Sequence, residues 1–162
     1  MSSILKVDQI QLSNGNTPTA GDLGLNTTGS VLQVVTGEKS GYVSTSSSSY
    51  SDIGLSATIT PTSTSSKILV CVNLVGGNTS ANAENHIAVI RDTTTVRIAD
   101  RWMFSSGGHA NLHGALMFED SPSSTSALVY KVQYRTQSGT FRVNDFYNNN
   151  NRSNITLIEI AG

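Results

Sequence analysis

Nine short apolar runs follow one another between residues 31 and 160, each closed by Ser, Thr, Asn, Gly or Pro: VLQVV (31–35), DIGLSATIT (52–60), KILVCVNLV (67–75), HIAVIRD (86–92), TVRIAD (95–100), NLHGALMFED (111–120), ALVYKVQYR (127–135), TFRVNDFY (140–147) and NITLIEI (154–160). Side chains alternate across an extended chain, so a period of two marks a strand buried on one face. Ile53, Leu55, Ala57 and Ile59 share one parity and Asp52, Gly54, Ser56 and Thr58 the other. Leu128, Tyr130, Val132 and Tyr134 likewise separate from Lys131, Gln133 and Arg135. KILVCVNLV is apolar on both parities, which predicts a central strand buried on both faces. The doubly apolar ending, with Ile155 and Leu157 against Ile158 and Ile160, predicts a strand in a sheet centre or at an interface. No stretch of ~12 residues carries the three-and-four spacing of an amphipathic helix, so no substantial helix is expected. Nine strands separated by turn signals read as a sandwich or barrel. The expected fold is all-β: an antiparallel, jelly-roll-like β-sandwich with an extended N-terminal arm, assembled as an oligomer.

The 162 residues have room for one domain and an appendage. Charged residues make up 13 % of the chain and sum to −1, with no basic run to neutralise phosphates, so nucleic acid is not an expected partner. Ser, Thr and Asn replace the missing charge, and these favour turns and exposed strand faces over helices. Cys71 is the single cysteine, which rules out an internal disulfide and predicts a buried small hydrophobe.

The opening stretch SSILKVDQIQLSNG (2–15) carries Ile4, Leu5, Val7, Ile10 and Leu12. Lys6, Asp8, Gln9 and Gln11 interrupt every apolar pair, which is unlike a secretory signal, and no window approaches the ~18 apolar residues of a membrane helix. Membrane insertion is not expected. The five apolar residues fall on both strand parities, as suits a segment with partners on both sides. Pro18, Gly21, Gly24 and Gly29 break up residues 16–30. The expected organisation is an anchoring or assembly segment at 1–15, a linker at 16–30 and a β-sandwich domain at 31–162.

Chemistry-bearing residues are few. GGHANLHGALMFED brings His109 and His113 near each other on an extended face, but Glu119 and Asp120 lie ~20 Å farther along the same strand, so no metal site is expected within one chain. A ring of histidines about an oligomer axis stays open. There is no nucleophile elbow, no phosphate-cradling glycine loop and no local carboxylate pair, so the chain is read as a non-enzyme with no catalytic residues and no cofactor. Trp102 and Tyr147, with Asn149 and Asn150 in the run 148–151, are aromatic and amide groups of the kind that stack on and hydrogen-bond to sugars. Ordinary packing or a subunit contact is the favoured reading of Trp102, and a plain solvated turn that of the asparagines.

The strings SILKVDQIQ, SVLQVV (30–35), IGLSATITPTSTSSKILV (53–70), DSPSSTSALVYKVQYR (120–135) and the terminal NITLIEIAG resemble the β-rich fibre and virion structural proteins of tailed phages infecting marine bacteria, cyanophages especially. The resemblance spans nearly the whole chain and is most specific in TITPxSTSSKILV and DSPxxTSA. It implies a virion-surface structural protein, a capsid knob or short fibre, whose Ile4, Leu5, Val7, Ile10 and Leu12 anchor it to capsid, portal, tail or fibre components. It further implies self-assembly, a trimer being favoured, and host-surface attachment through a glycan. A tail-fibre tip or receptor-binding carbohydrate module is the alternative. The chain departs from a long tail fibre in lacking a shaft: a 15-residue linker reaches at most ~50 Å.

Overall fold

A computed structural model describes residues 10–11, 13–18, 22–23, 28–105, 112–144 and 151–162. The runs with period two become strands, and their boundaries shift by a few residues. In chain order these are β1 (Val31–Ser40), β2 (Val43–Thr45), β3 (Ser51–Ile59), β4 (Lys67–Asn78), β5 (Ala83–Arg91), β6 (Thr94–Ser105), β7 (Leu112–Asp120), β8 (Leu128–Thr136), β9 (Phe141–Val143) and β10 (Arg152–Ile160). There is no helix among the described residues.

Every pairing is antiparallel. Sheet I contains β1, β10, β4 and β7 side by side, with short β9 and β2 beyond the far ends of β10 and β1. Sheet II runs β3-β8-β5-β6. β9 and β10 lie against the same edge of β4, at Gly76–Asn78 and Lys67–Asn73 respectively. They act as one strand interrupted by an excursion, and β2 continues β1 in the same way past Gly41. With these merged, eight strands alternate between two four-stranded sheets, and only β5 and β6 form a hairpin within one sheet. That connectivity is the double Greek key of a jelly roll. The all-β sandwich expected from the alternation is therefore the fold.

The inward parities fill the space between the sheets. Ile53, Leu55 and Ile59 of β3, Ile68, Val70, Val72 and Leu74 of β4, Ile87 and Val89 of β5, Tyr130 and Val132 of β8, and Ile155 and Leu157 of β10 are all at most 2 % exposed. Each such side chain contributes about 1.5–3 kcal/mol of hydrophobic stabilisation. Two expectations need correction. β4 is central, but Leu69 and Cys71 on its outward parity are half-buried, because nothing among the described residues covers that face. In TFRVNDFY the strand covers 141–143 and ends before Asn144, which takes a left-handed conformation (φ 58°); residues 145–147 lie outside the described residues.

Polar side chains join the two sheets at both ends. At one end buried Asn78 of β4 donates through Nδ2 to Asn85 Oδ1 (2.7 Å) and Thr136 Oγ1 (3.1 Å), and Asn85 Nδ2 donates to the Met103 carbonyl (2.8 Å). At the other end Asp120 of β7 accepts from the Tyr130 hydroxyl (2.6 Å) and pairs with Arg91. Burial, then the adjacent Asp120 carboxylate, pushes the Tyr130 phenol well above its ordinary range. Glu159 is fully buried at that same end and accepts from Thr62 N (2.7 Å), Thr62 Oγ1 (2.8 Å) and Gln33 Nε2 (2.6 Å).

Candidate functional site

Asn144 carries the architecture beside a cleft on the described surface. Its Nδ2 donates to the carbonyls of Lys39 (2.8 Å) and Gly41 (3.3 Å), and its Oδ1 accepts from Ser153 Oγ (2.7 Å). Ser153 Oγ in turn accepts from Val75 N (3.2 Å), and Asn144 N donates to the Val75 carbonyl (2.8 Å). Asn144 and Ser153 are both buried. This peg fixes β1, β4, β9 and β10 where β9 ends and β10 begins.

Beside that point, on the outer face of sheet I, lies a cleft of about 330 Å³ lined by Asn73, Val75, His113, Ala115, Asn151 and Arg152. Asn73 Nδ2 donates to Asn154 Oδ1 (3.2 Å). Arg152 Nε lies 3.1 Å from Glu38 Oε1. His113, opposite Val75 in the register, is exposed. Gly114 is required beneath: a Cβ there would stand 2.4 Å from the Trp102 ring, so the indole packs against the inner side of β7 where any larger residue would sit. The cleft offers an amide, an imidazole and a guanidinium over a small apolar floor. These groups can recognise a ligand by hydrogen bonding.

The sequence-derived candidates distribute unevenly about this cleft. Trp102 is half-buried and packs against the core below Gly114 without lining the cleft. His113 lines it. His109, Tyr147, Asn149 and Asn150 lie outside the described residues, as do Ile4, Leu5, Val7 and Leu12; Ile10 is 51 % exposed. No group of three or more His, Cys, Asp or Glu side chains suited to a metal ion occurs among the described residues.

Asn73, Asn144 and Arg152 had escaped the sequence reading. Asn73 had a usable signal, since it is the one polar residue within the apolar run 68–75. Asn144 and Arg152 had none, because their roles depend on partners about a hundred residues away. A second cluster also escaped. His86, on the outer side of sheet II, is buried, with Nδ1 2.8 Å from Asp100 Oδ1 and Nε2 3.9 Å from Glu84 Oε2. Arg101 pairs with Glu84 (3.0 Å), and Arg135 lies 3.7 Å from Asp100 with its guanidinium over the Tyr50 ring.

Neither a protein-family model nor a curated protein matches the chain. Among solved structures, the Eiger TNF from S. frugiperda aligns over 79 % of this chain and 93 % of its own, at 10 % identity and a TM-score of 0.48. Strand order and register alone make the fold a jelly roll.

Proposed function

We propose that the chain is a structural protein of a phage particle, displayed on the particle surface as a knob or short fibre, assembled with copies of itself and held to capsid, tail or fibre components by its N-terminal segment. In the favoured arrangement it is a trimer. The cleft at Asn73, His113 and Arg152 serves attachment to a host-surface glycan.

The observation that carries this reading is the polarity of the domain. Residues 29 and 30 reach β1 through hydrogen bonds with Ala161 (2.7 and 2.8 Å), beside Ile160. The cleft lies at the opposite end of β10, beside Arg152. Eight strand rises of ~3.4 Å separate the two, about 27 Å. A domain tethered at one end and carrying a polar recognition cleft towards the other suits a tethered adhesin. The strings that carry the phage resemblance also coincide with structural devices: TITPTSTSSK crosses from β3 to β4 over the buried Glu159, and DSPSSTSA crosses from β7 to β8 beside Asp120.

Labelling of intact particles with an antibody to the chain, followed by electron microscopy, tests the reading. Surface labelling at the capsid is expected. Particles devoid of the chain overturn the virion assignment, and labelling confined to the tail tip moves it to the alternative, a receptor-binding tail-fibre module. Glycan-array binding that His113→Ala and Asn73→Ala each reduce at least tenfold tests the cleft; an array that stays blank on host-envelope glycans removes the adhesive role.

A further inference from the structure

Of the fourteen asparagines in the chain, Asn14 alone precedes a glycine. The pair lies in a turn at residues 13–15, where both residues are exposed. Gly15 takes a left-handed φ of 82°, and no atom stands within 4 Å of the place a Cβ would occupy. Asn16 N donates to Asn14 Oδ1 (3.0 Å), an Asx turn that folds the Asn14 side chain back over its own backbone. Asparagines elsewhere are held differently. Asn78, Asn85 and Asn144 are buried, and each donates its side-chain amide to a fixed partner. Asn73 and Asn154 sit in paired strands, hydrogen-bonded to each other and followed by the bulky Leu74 and Ile155.

The turn at Asn14 brings together the parts of a reaction. Gly15 N lies within the small ring that the Asn16 N to Asn14 Oδ1 hydrogen bond closes, so nucleophile and amide carbon are gathered in one turn of chain. Glycine leaves that nitrogen uncrowded. The Asn16 N–H polarises the Asn14 carbonyl and, at 3.0 Å, stands where a donor would stabilise the negative charge that its oxygen gains when the carbon is attacked.

We propose that Asn14–Gly15 is a self-modification site, at which the chain converts Asn14 to aspartate and isoaspartate through a cyclic imide. Gly15 N gives up its proton to solvent and attacks Asn14 Cγ. The N–Cγ bond forms, the Cγ–Nδ2 bond breaks, and Nδ2 takes up a proton and leaves as ammonia. Water then opens the imide: at Cγ it yields aspartate, and at the main-chain carbonyl it yields isoaspartate, whose backbone carries one more carbon. The net change exchanges ammonia for water and takes the formal charge of the chain from −1 to −2. It falls where the segment 1–15 meets the residues 16–30, and it does not depend on what that segment binds.

Mass spectrometry of the full-length chain, incubated in mildly alkaline buffer and then digested with trypsin, tests the proposal. The wild type is expected to gain about one dalton on the peptide of residues 7–39, with fragment ions placing the gain at Asn14. Labelling by an isoaspartyl methyltransferase should report the isoaspartate fraction. Asn14→Gln should lose the gain, because its longer side chain closes a larger ring. Gly15→Ala, strained at a positive φ, should slow it about tenfold. Both positions are exposed, and far-UV circular dichroism checks that the sandwich is intact in each variant. A wild type that keeps its mass, or that gains it first at another asparagine, overturns the site. Gly15→Ala reacting at the wild-type rate overturns the role of the turn.

Discussion

The two sheets use their charges in opposite ways. On sheet II the carboxylates point outward into water: Asp52 accepts from Gln133 (2.7 Å) and Lys131 (3.2 Å), Glu84 pairs with Arg101, and Asp100 with His86 and Arg135. On sheet I, Asp120 and Glu159 are turned inward and hold crossing segments together, while much of the outer surface is left to Val, Ile, Leu and Met. A charge laid on a surface keeps most of its hydration and contributes solubility, whereas a charge taken out of water must be fully partnered and then becomes a lock. Sheet II thus keeps its carboxylates in water, and sheet I uses two of its own as locks between crossing segments.

Asp120 should give the largest effect. Removing its carboxylate leaves Arg91 and the buried Tyr130 hydroxyl without their shared acceptor, so Asp120→Ala is expected to cost about 3 kcal/mol in urea denaturation. The conservative Asp120→Asn retains an acceptor for one of the two and should cost less than half of that. Equal losses in both would mean that charge, and not hydrogen bonding, makes the lock.

Gly114 comes next. Gly114→Ala drives a methyl into the Trp102 ring, and an overpacked contact of this kind costs about 2 kcal/mol. A blue shift or quench of the single tryptophan's fluorescence should accompany the loss. Trp102→Leu combined with Gly114→Ala should recover part of the stability, because the smaller side chain makes room for the methyl.

How much of this was legible in the sequence follows from the range of each interaction. The period of two is local, so residues such as Ile53 to Ile59 and Leu128 to Tyr134 declared their buried faces directly, and the two-layer sandwich followed. What lies on the outer face of a strand is not local information. Leu69 and Cys71 look like core because they are apolar, and only the arrangement of the sheets shows their face uncovered. Burial still raises the Cys71 thiol above its ordinary value. Of the strand expected over 140–147, the described part ends after Val143, where Asn144 turns left-handed and its side chain bonds Lys39, Gly41 and Ser153. At the cleft, His113 was visible as a residue type, whereas Asn73 and Arg152 acquired meaning from cross-strand register alone.

Glu159 gives a smaller effect with a definite pH signature. Burial raises its carboxyl, but hydrogen bonds from Gln33 and Thr62 outweigh that and hold it below the ordinary 4.5. The unfolded chain therefore takes up the proton at higher pH than the folded one. The stabilisation is fully present above about pH 4.5 and is lost as pH falls through the folded value. Thermal melts from neutral pH downward should show this acid loss, and Glu159→Gln should cost about 1 kcal/mol at neutral pH while flattening the acid limb.

Asp52 on the outer face of sheet II should respond least. The hydrogen bond from Gln133 lowers its carboxyl, desolvation opposes this, and Lys131 adds to the lowering, so the sign of its pH dependence matches that of Glu159. The Asp52 side chain is 51 % exposed, however, and water and salt screen what it gains. Asp52→Ala is expected to cost less than about 0.5 kcal/mol at low ionic strength, and nothing measurable in molar salt. Glu159→Gln should keep its full cost in the same salt, because its partners are fixed inside the sandwich. A loss at Asp52 that equals the loss at Glu159 and resists salt would mean that the outer charges of sheet II also act as locks. The contrast between outward charges kept in water and inward charges used as locks would then fail on the sheet II side.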